Sequence, residues 1–313
     1  MDPTLSPNRL LLSGASGMLG APLREGLTAR GTYILQLLRR PSEAPNQFQW
    51  NPRSTPELPD PEVFENLSAA IHLSGANLAD KRWTEAYKQE IVESRVATTR
   101  ALATSLARLS QPPKVLLVAS AVGIYGSRGD ELLDETSATG TGFLADVCRQ
   151  WEAAAEPARA AGIRVIHMRF GVVLDPHQGA LARLLPFFRF GLGAKIGKGR
   201  QYMSWISLPD AVAAILFLLN TENAEGAYNF AAPNPVTNEQ FTRLLAAQLH
   251  RPAFLAIPAF AARLAFGEMA DQTLLSSARA YPARLAAAGY QFKHPSLVHA
   301  LPALLSPLIN PQR

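Results

Sequence analysis

Cysteine is nearly absent. The 313-residue chain holds one, Cys148, which excludes an internal disulfide and any multi-cysteine metal centre. Long apolar runs are missing as well. Ala211 to Leu219 is among the longest, less than half of the ~20 residues that cross a bilayer as a helix. The opening MDPTLSPNRL has Asp2, two prolines and no basic start leading into an apolar segment, so no secretory leader is expected. The six histidines (72, 167, 177, 250, 294 and 299) show no metal-ligand spacing, and no metal site is expected. A G-x-S-x-G elbow is absent, which argues against a Ser-His-Asp hydrolase. The net charge is +5, but the basic residues stand singly or in pairs such as Arg39-Arg40 and Lys81-Arg82, without interleaved aromatics. That footprint argues against nucleic acid. The expectation is a soluble cytoplasmic protein that engages a small molecule, with no nucleic acid and no membrane.

What remains has the make-up of an ordinary globular protein, 48% hydrophobic and 18% charged, long enough for one large domain and a smaller one. Strand-like runs (9–13, 33–38, 69–73, 115–119, 164–168) alternate with helix-like runs (18–30, 84–109, 143–161). In the long helix Ile91, Val92, Val96, Leu102 and Leu106 recur near helical spacing. This order predicts an α/β fold, a Rossmann-type doubly wound parallel sheet with right-handed crossovers. Near Gly171 the character changes. Loops at 175–179 and 190–200, an apolar helix at 209–220, a strand at 227–230 and a helix at 237–250 follow. The predicted division is a Rossmann domain over 8–170, with later segments able to return to its sheet, and a C-terminal substrate lobe over 171–305 closing on the sheet's carboxyl edge.

The sharpest motif is Ser13-Gly-Ala-Ser-Gly-Met-Leu-Gly20, between the first strand and the first helix. Gly14 permits a tight turn, Gly17 a close backbone approach to a pyrophosphate, and Gly20 close packing of helix on strand. The helix N-terminus then offers N–H groups and a positive dipole end to phosphate. The second strand ends in Leu38-Arg39-Arg40, and no acid lies between Glu25 and Glu43. An acid there would hold a ribose 2′-hydroxyl, whereas arginine suits a 2′-phosphate, so NADP(H) is preferred to NAD.

These residues resemble the extended short-chain dehydrogenase/reductase superfamily. His72-Leu-Ser-Gly-Ala-Asn77, Ser94-Arg95, Ser120-Ala-Val-Gly-Ile-Tyr-Gly126, Trp151-Glu-Ala-Ala154 and above all Gly199-Arg-Gln-Tyr-Met-Ser-Trp-Ile206 narrow it to an atypical branch, an NAD-dependent epimerase/dehydratase-like family that carries a cell-division-inhibitor label. No residue argues for that label. The resemblance implies that Gly14, Ser16, Gly17, Met18 and Leu19 meet the pyrophosphate, and that Leu38, Arg39 and Arg40 meet the 2′-phosphate. It places Leu73, Ser74 and Gly75 along the adenine and ribose, and Glu90 and Arg95 reaching toward the cofactor. Ala119, Ser120 and Arg169 would lie beside the nicotinamide. Relatives that dimerise often do so through the two long helices, so the resemblance allows a homodimer and leaves the oligomeric state open.

Reductases and epimerases of that superfamily use a Tyr-x-x-x-Lys pair, the lysine lowering the phenol pKa. None exists here. The residues four positions beyond each tyrosine are Leu37, Ile91, Gly129, Ile206, Ala232, Leu285 and His294, and no lysine lies between Lys114 and Lys195. Aligning the helix through Trp151-Glu152 puts Leu144 and Cys148 at the two positions. The remaining candidates for chemistry are Tyr125 and Ser120, with Arg200 as an anion clamp and Trp205 as a flat wall for substrate. The acidic run Asp130, Glu131, Asp134 and Glu135 reads as a solvated loop. Relatives tend to carry histidine where this chain has Ser207. Two functions stay open: an atypical oxidoreductase or epimerase on an unknown small molecule, and a non-catalytic NADP(H) sensor.

Overall fold

The structure, a computed structural model, describes residues 8–309, with side chains described to Ser306; the stretch read for a leader lies largely outside the described residues. The alternating region runs β1 (Arg9–Ser13), α1 (Gly20–Thr28), β2 (Tyr33–Leu38), β3 (Gln47–Gln49), β4 (Ala69–His72), α2 (Glu85–Ala107), β5 (Val115–Ala121), β6 (Leu132–Leu133), α3 (Phe143–Ala153), α4 (Glu156–Ala160) and β7 (Arg164–Phe170). It continues with β8 (Val172–Leu174), α5 (Gly179–Arg189), β9 (Ala194–Ile196), β10 (Tyr202–Met203), β11 (Trp205–Ser207), α6 (Leu208–Leu219) and β12 (Gly226–Phe230). Last come β13 (Val236–Thr237), α7 (Asn238–Gln248), β14 (Leu255–Ile257), α8 (Ala259–Phe266), β15 (Arg279–Ala280), α9 (Ala283–Ala287) and α10 (Leu297–Ile309).

Seven strands form one parallel sheet in the order β12-β7-β5-β4-β1-β2-β3. Successive side chains of a strand face opposite sides, so each strand feeds two cores. Leu10, Leu12, Ile71, Leu117 and Ile166 pack with Leu23 of α1 and Ile215 of α6. Leu11, Leu35, Ala70, Leu116 and Val165 pack with Leu102 and Leu106 of α2 on the other face. Helices cover both faces, as the alternating pattern predicts. The strand order reverses between β1 and β4, which opens a crevice at their carboxyl ends, where such sheets bind ligands.

Two sequence expectations change. The single helix expected over 143–161 is two, α3 and α4. Pro157 lacks an N–H and sits in the first turn of α4, where none is needed. The boundary at 170 is also not a clean cut. α6 and β12 return to the large sheet, β12 pairing with β7, so the Rossmann unit is interrupted by β8 to β11. The smaller lobe has its own core, in which Leu181, Leu185 and Phe188 of α5 meet Phe241 and Leu245 of α7 and Leu301 of α10. Among the described residues no helix is long and apolar enough to cross a membrane.

Candidate functional site

The crevice begins at the glycine loop. Gly14 has φ +73°, and a Cβ there would stand 2.9 Å from the Leu73 carbonyl carbon. Gly20 starts α1, and a Cβ on it would collide with the Gly14 carbonyl oxygen. These two glycines let the loop fold against the end of β4 while the helix starts directly behind it. Gly17 closes the turn, its N–H donating to Gly14 O at 3.0 Å. The first turn of α1 carries no acid and no side-chain cap, which leaves its positive end available to an anion.

A cleft of about 520 Å³ opens from this loop. Of the residues expected at a cofactor, Gly14, Ser16, Gly17, Leu38, Arg39, Arg40, Leu73, Ser74, Gly75 and Glu90 line it. Arg39 and Arg40 stand exposed at the end of β2, Arg40 paired with Glu43. The sequence reading missed the segment after β3. Trp50, Asn51, Pro52 and Arg53 form the outer wall, and Arg53 pairs with Glu90 at 2.9 Å. No motif marks this segment, because it reaches the cleft only through the pairing of β3 with β2. Ser94 and Thr98, one turn apart on α2, line the floor. Beneath them His72 is fully buried, its Nδ1 2.6 Å from Ser13 Oγ and its Nε2 3.2 Å from Thr98 Oγ1. Burial pushes its pKa down to about 4, so the ring is neutral and ties β1, β4 and α2 together.

Other expected residues lie outside this cleft. Arg95 sits behind its wall, donating to Ala76 O at 2.8 Å and to Ile91 O at 3.1 Å, its guanidinium over the Trp151 ring. It shapes the 73–76 loop. Met18 turns toward Gly179 at the start of α5: a Cβ on that glycine would lie 3.2 Å from Met18 Sδ. Leu19 is the N-cap of α1 and packs against the sheet core. Ala119, Ser120 and Arg169 close the adjacent strands β5 and β7. There Arg169 donates to both Glu152 oxygens, at 2.8 and 2.9 Å, and Ser120 Oγ donates to Glu152 Oε1 at 2.7 Å. Burial would raise the Glu152 carboxyl, but the Arg169 bonds and charge overcome it and hold it below the ordinary range.

The expectations for Tyr125, Ser120, Trp205, Arg200 and Glu135 are corrected. Tyr125 is wholly buried, its hydroxyl donating to Asn229 Oδ1 at 2.7 Å and accepting from Arg169 Nη1 at 3.1 Å. Burial raises its pKa and keeps the phenol protonated; with the hydroxyl buried and engaged on both sides, it is a brace between β7 and β12 and not an available acid. Ser120, the other catalytic candidate, spends its proton on Glu152. Trp205 is fully buried in the core of the smaller lobe, its Nε1 donating to Asn234 O at 3.0 Å; a side chain with no exposed face cannot wall a substrate pocket. Arg200 is exposed between Gly199 and β10, near Glu239 of α7, and does not line the cleft. Glu135 is no solvated loop residue either: it accepts from the N–H of Asn229 at 2.8 Å and of Arg284 at 3.3 Å.

Leu144 and Cys148, which the alignment through Trp151-Glu152 puts at the two positions of the pair, lie side by side on α3. A Cβ on Gly123, just past β5, would lie 3.5 Å from Leu144 Cβ and 4.0 Å from Cys148 Sγ, so both residues of α3 face the end of β5. Burial pushes the Cys148 thiol up to about 12, which leaves it un-ionised and inert near neutral pH. An imidazole does meet Ser207, from elsewhere in the chain. His294 Nδ1 lies 2.9 Å from Ser207 Oγ, but both are buried at the base of α6.

The NAD dependent epimerase/dehydratase family matches residues 10–231, and a domain of unknown function (DUF1731) matches 257–304. The chain belongs to the NAD dependent epimerase/dehydratase family. Epimerase family protein ML0860 of Mycobacterium leprae is 43% identical over 93% of each chain. The human epimerase family protein SDR39U1 (isoform 2), solved with NADPH, superposes on this family member with a TM-score of 0.87. It is 32% identical, over 95% of this chain and 99% of the human one. A nucleoside-diphosphate sugar epimerase from Corynebacterium glutamicum gives 0.78 at 32% identity, over 96% of this chain and 58% of its own. The match extends through the smaller lobe, and the reading as an atypical extended short-chain dehydrogenase/reductase holds across the chain.

Proposed function

We propose that the chain binds NADP(H) in the cleft between β1, β2 and β4 and is an atypical oxidoreductase or epimerase whose substrate is a small molecule. The observation that carries this is the cationic end of the cleft, where Arg39, Arg40 and Arg53 surround the space beyond β2. The human relative solved with NADPH supports the choice of cofactor. The glycine loop suits the group. Gly14 and Gly20 bring backbone N–H groups to the cleft floor, where side chains would collide, and the open end of α1 faces a pyrophosphate. When bound, the nicotinamide supplies or accepts a hydride. The chain's own residues grip the 2′-phosphate, seat the adenosine against Leu38, Trp50 and Leu73, and hold the ends of β5 and β7 rigid through Glu152 and Arg169.

A second reading has its own observation. The alignment puts Leu144 and Cys148 at the dyad positions, both face the end of β5, and the Tyr125 hydroxyl is occupied; a site without a side chain poised to move a proton favours a sensor of the NADP(H) pool. Parallel calorimetric titrations with NADPH and NADH test the common ground. NADPH should bind more tightly, and Arg39→Asp with Arg40→Ala should weaken NADPH at least tenfold, about 1.4 kcal/mol, while leaving NADH nearly unchanged. Equal losses for both cofactors would remove the 2′-phosphate assignment.

A further inference from the structure

The smaller lobe presents apolar side chains that no other segment covers among the described residues. Nine of the twelve exposed large apolar side chains among the described residues belong to the end of α5 and the turn after it, to β14 and its lead-in, and to α8. Phe187 and Phe190 (82% exposed) stand at the end of α5, and Leu192 follows them. Beside them runs the segment after Arg251, whose Nε donates to Arg189 O at 2.8 Å. That segment carries Phe254 (83% exposed) into β14, which pairs with β9 and exposes all three of its residues. α8 follows at once. It holds one charged residue, Arg263, yet buries only Ala262 and exposes Phe260 (71%) and Leu264 (77%). A helix this apolar is ordinarily buried. The exposed apolar area is on the order of 1,000 Å², against the roughly 300–600 Å² of a monomer's largest patch.

Cations outnumber acids around this face. Residues 175–210 and 239–268 contain eight lysines and arginines against four acids, Asp175, Asp210, Glu239 and Glu268; Lys195 pairs with Glu239, which Arg200 and Arg243 also approach, and Arg263 pairs with Asp271. Arg189, Lys198, Arg200, Arg243 and Arg251 form no ion pair among the described residues. A second copy docked on the same face would bring cation against cation. Aromatic and aliphatic tips set among unpaired cations suit a surface with an apolar interior and an anionic boundary.

We infer that the face formed by the end of α5, the β9–β14 pair and α8 docks on an anionic lipid bilayer as a peripheral contact. No spanning segment is needed, and the inference does not depend on the cofactor. The sequence expectation of no membrane weighed spanning runs; this face is assembled from two segments separated by more than forty residues.

Sedimentation of the full chain with vesicles tests it. Binding to phosphatidylcholine mixed with phosphatidylglycerol should exceed binding to phosphatidylcholine alone by at least tenfold and should fall with salt, since each cation at the surface contributes about a five-fold factor. Phe254→Ser with Phe260→Ser and Leu264→Ser should weaken vesicle binding about tenfold or more at an unchanged unfolding midpoint, because these side chains are exposed. Lys198→Glu with Arg243→Glu should remove the preference for anionic lipid. Three results overturn the inference: no vesicle binding by a monomer; binding untouched by the triple substitution; or a concentration-dependent dimer that the triple substitution dissolves, which assigns the face to a second copy.

Discussion

His72 sits at the end of β4 without exposure, bonded to Ser13 and Thr98, and burial pushes its pKa down to about 4. In the unfolded chain the same ring titrates at about 6.5. The unfolded state therefore takes up a proton that the folded state resists. The stability at stake is whole above pH about 6.5 and is lost progressively as pH falls toward about 4, some 3 kcal/mol in all. His167 and His294 are also lowered, chiefly by burial, and act in the same direction. Urea unfolding at a series of pH values should show the midpoint falling through this window, and His72→Gln should flatten the slope by about one proton. Arg39 and Arg40 were readable as lining the cleft because their place at the end of β2, after the glycine loop, is a local fact. The duties of Tyr125, Ser120 and Glu135 were not, because their partners Asn229, Glu152 and Arg284 lie 104, 32 and 149 residues away.

Two glycines of α1 separate geometry from propensity. Gly20 meets the Gly14 carbonyl, and a Cβ there must displace the loop; Gly26 on the same helix has nothing within 4 Å of an added Cβ. Gly26→Ala should stabilise the protein by about 0.5–1 kcal/mol, the usual gain within a helix. Gly20→Ala should destabilise it and abolish NADPH binding; thermal unfolding with calorimetry separates the two effects. Strong periodicity made β1, β2, α2 and α7 legible to within two residues; Thr84 and Thr237, read as the first residues of their helices, are the N-caps of α2 and α7. α5 escaped notice because Pro186 lies inside it and its apolar residues run on into an exposed tip.

At the scale of the whole molecule, one carboxylate joins the sheet to the smaller lobe. Asp210, in the first turn of α6, accepts from Ser207 Oγ at 2.8 Å and from the N–H groups of Lys293 and His294 at 2.7 and 2.9 Å. The Tyr290 hydroxyl lies 3.2 Å from its Oδ1. Asp210→Ala would leave several buried donors without partners, at a cost of about 3 kcal/mol. Urea unfolding should show that loss, and proteolysis should begin near residues 289–296, which Asp210 holds against α6.

The sequence by itself determined the sheet class, the glycine loop, the paired arginines after β2 and the absence of a Tyr-x-x-x-Lys spacing. Each rests on neighbours in the chain or on a simple period, and local sterics and hydrophobic alternation act over those distances. Tertiary structure alone decided that Trp50 to Arg53 wall the cleft, that Tyr125 and Trp205 are buried, and that the end of α5, β14 and α8 leave apolar side chains exposed. These depend on which distant segments the sheet order and lobe packing bring together, and burial, pairing and exposure belong to that arrangement and not to any residue alone.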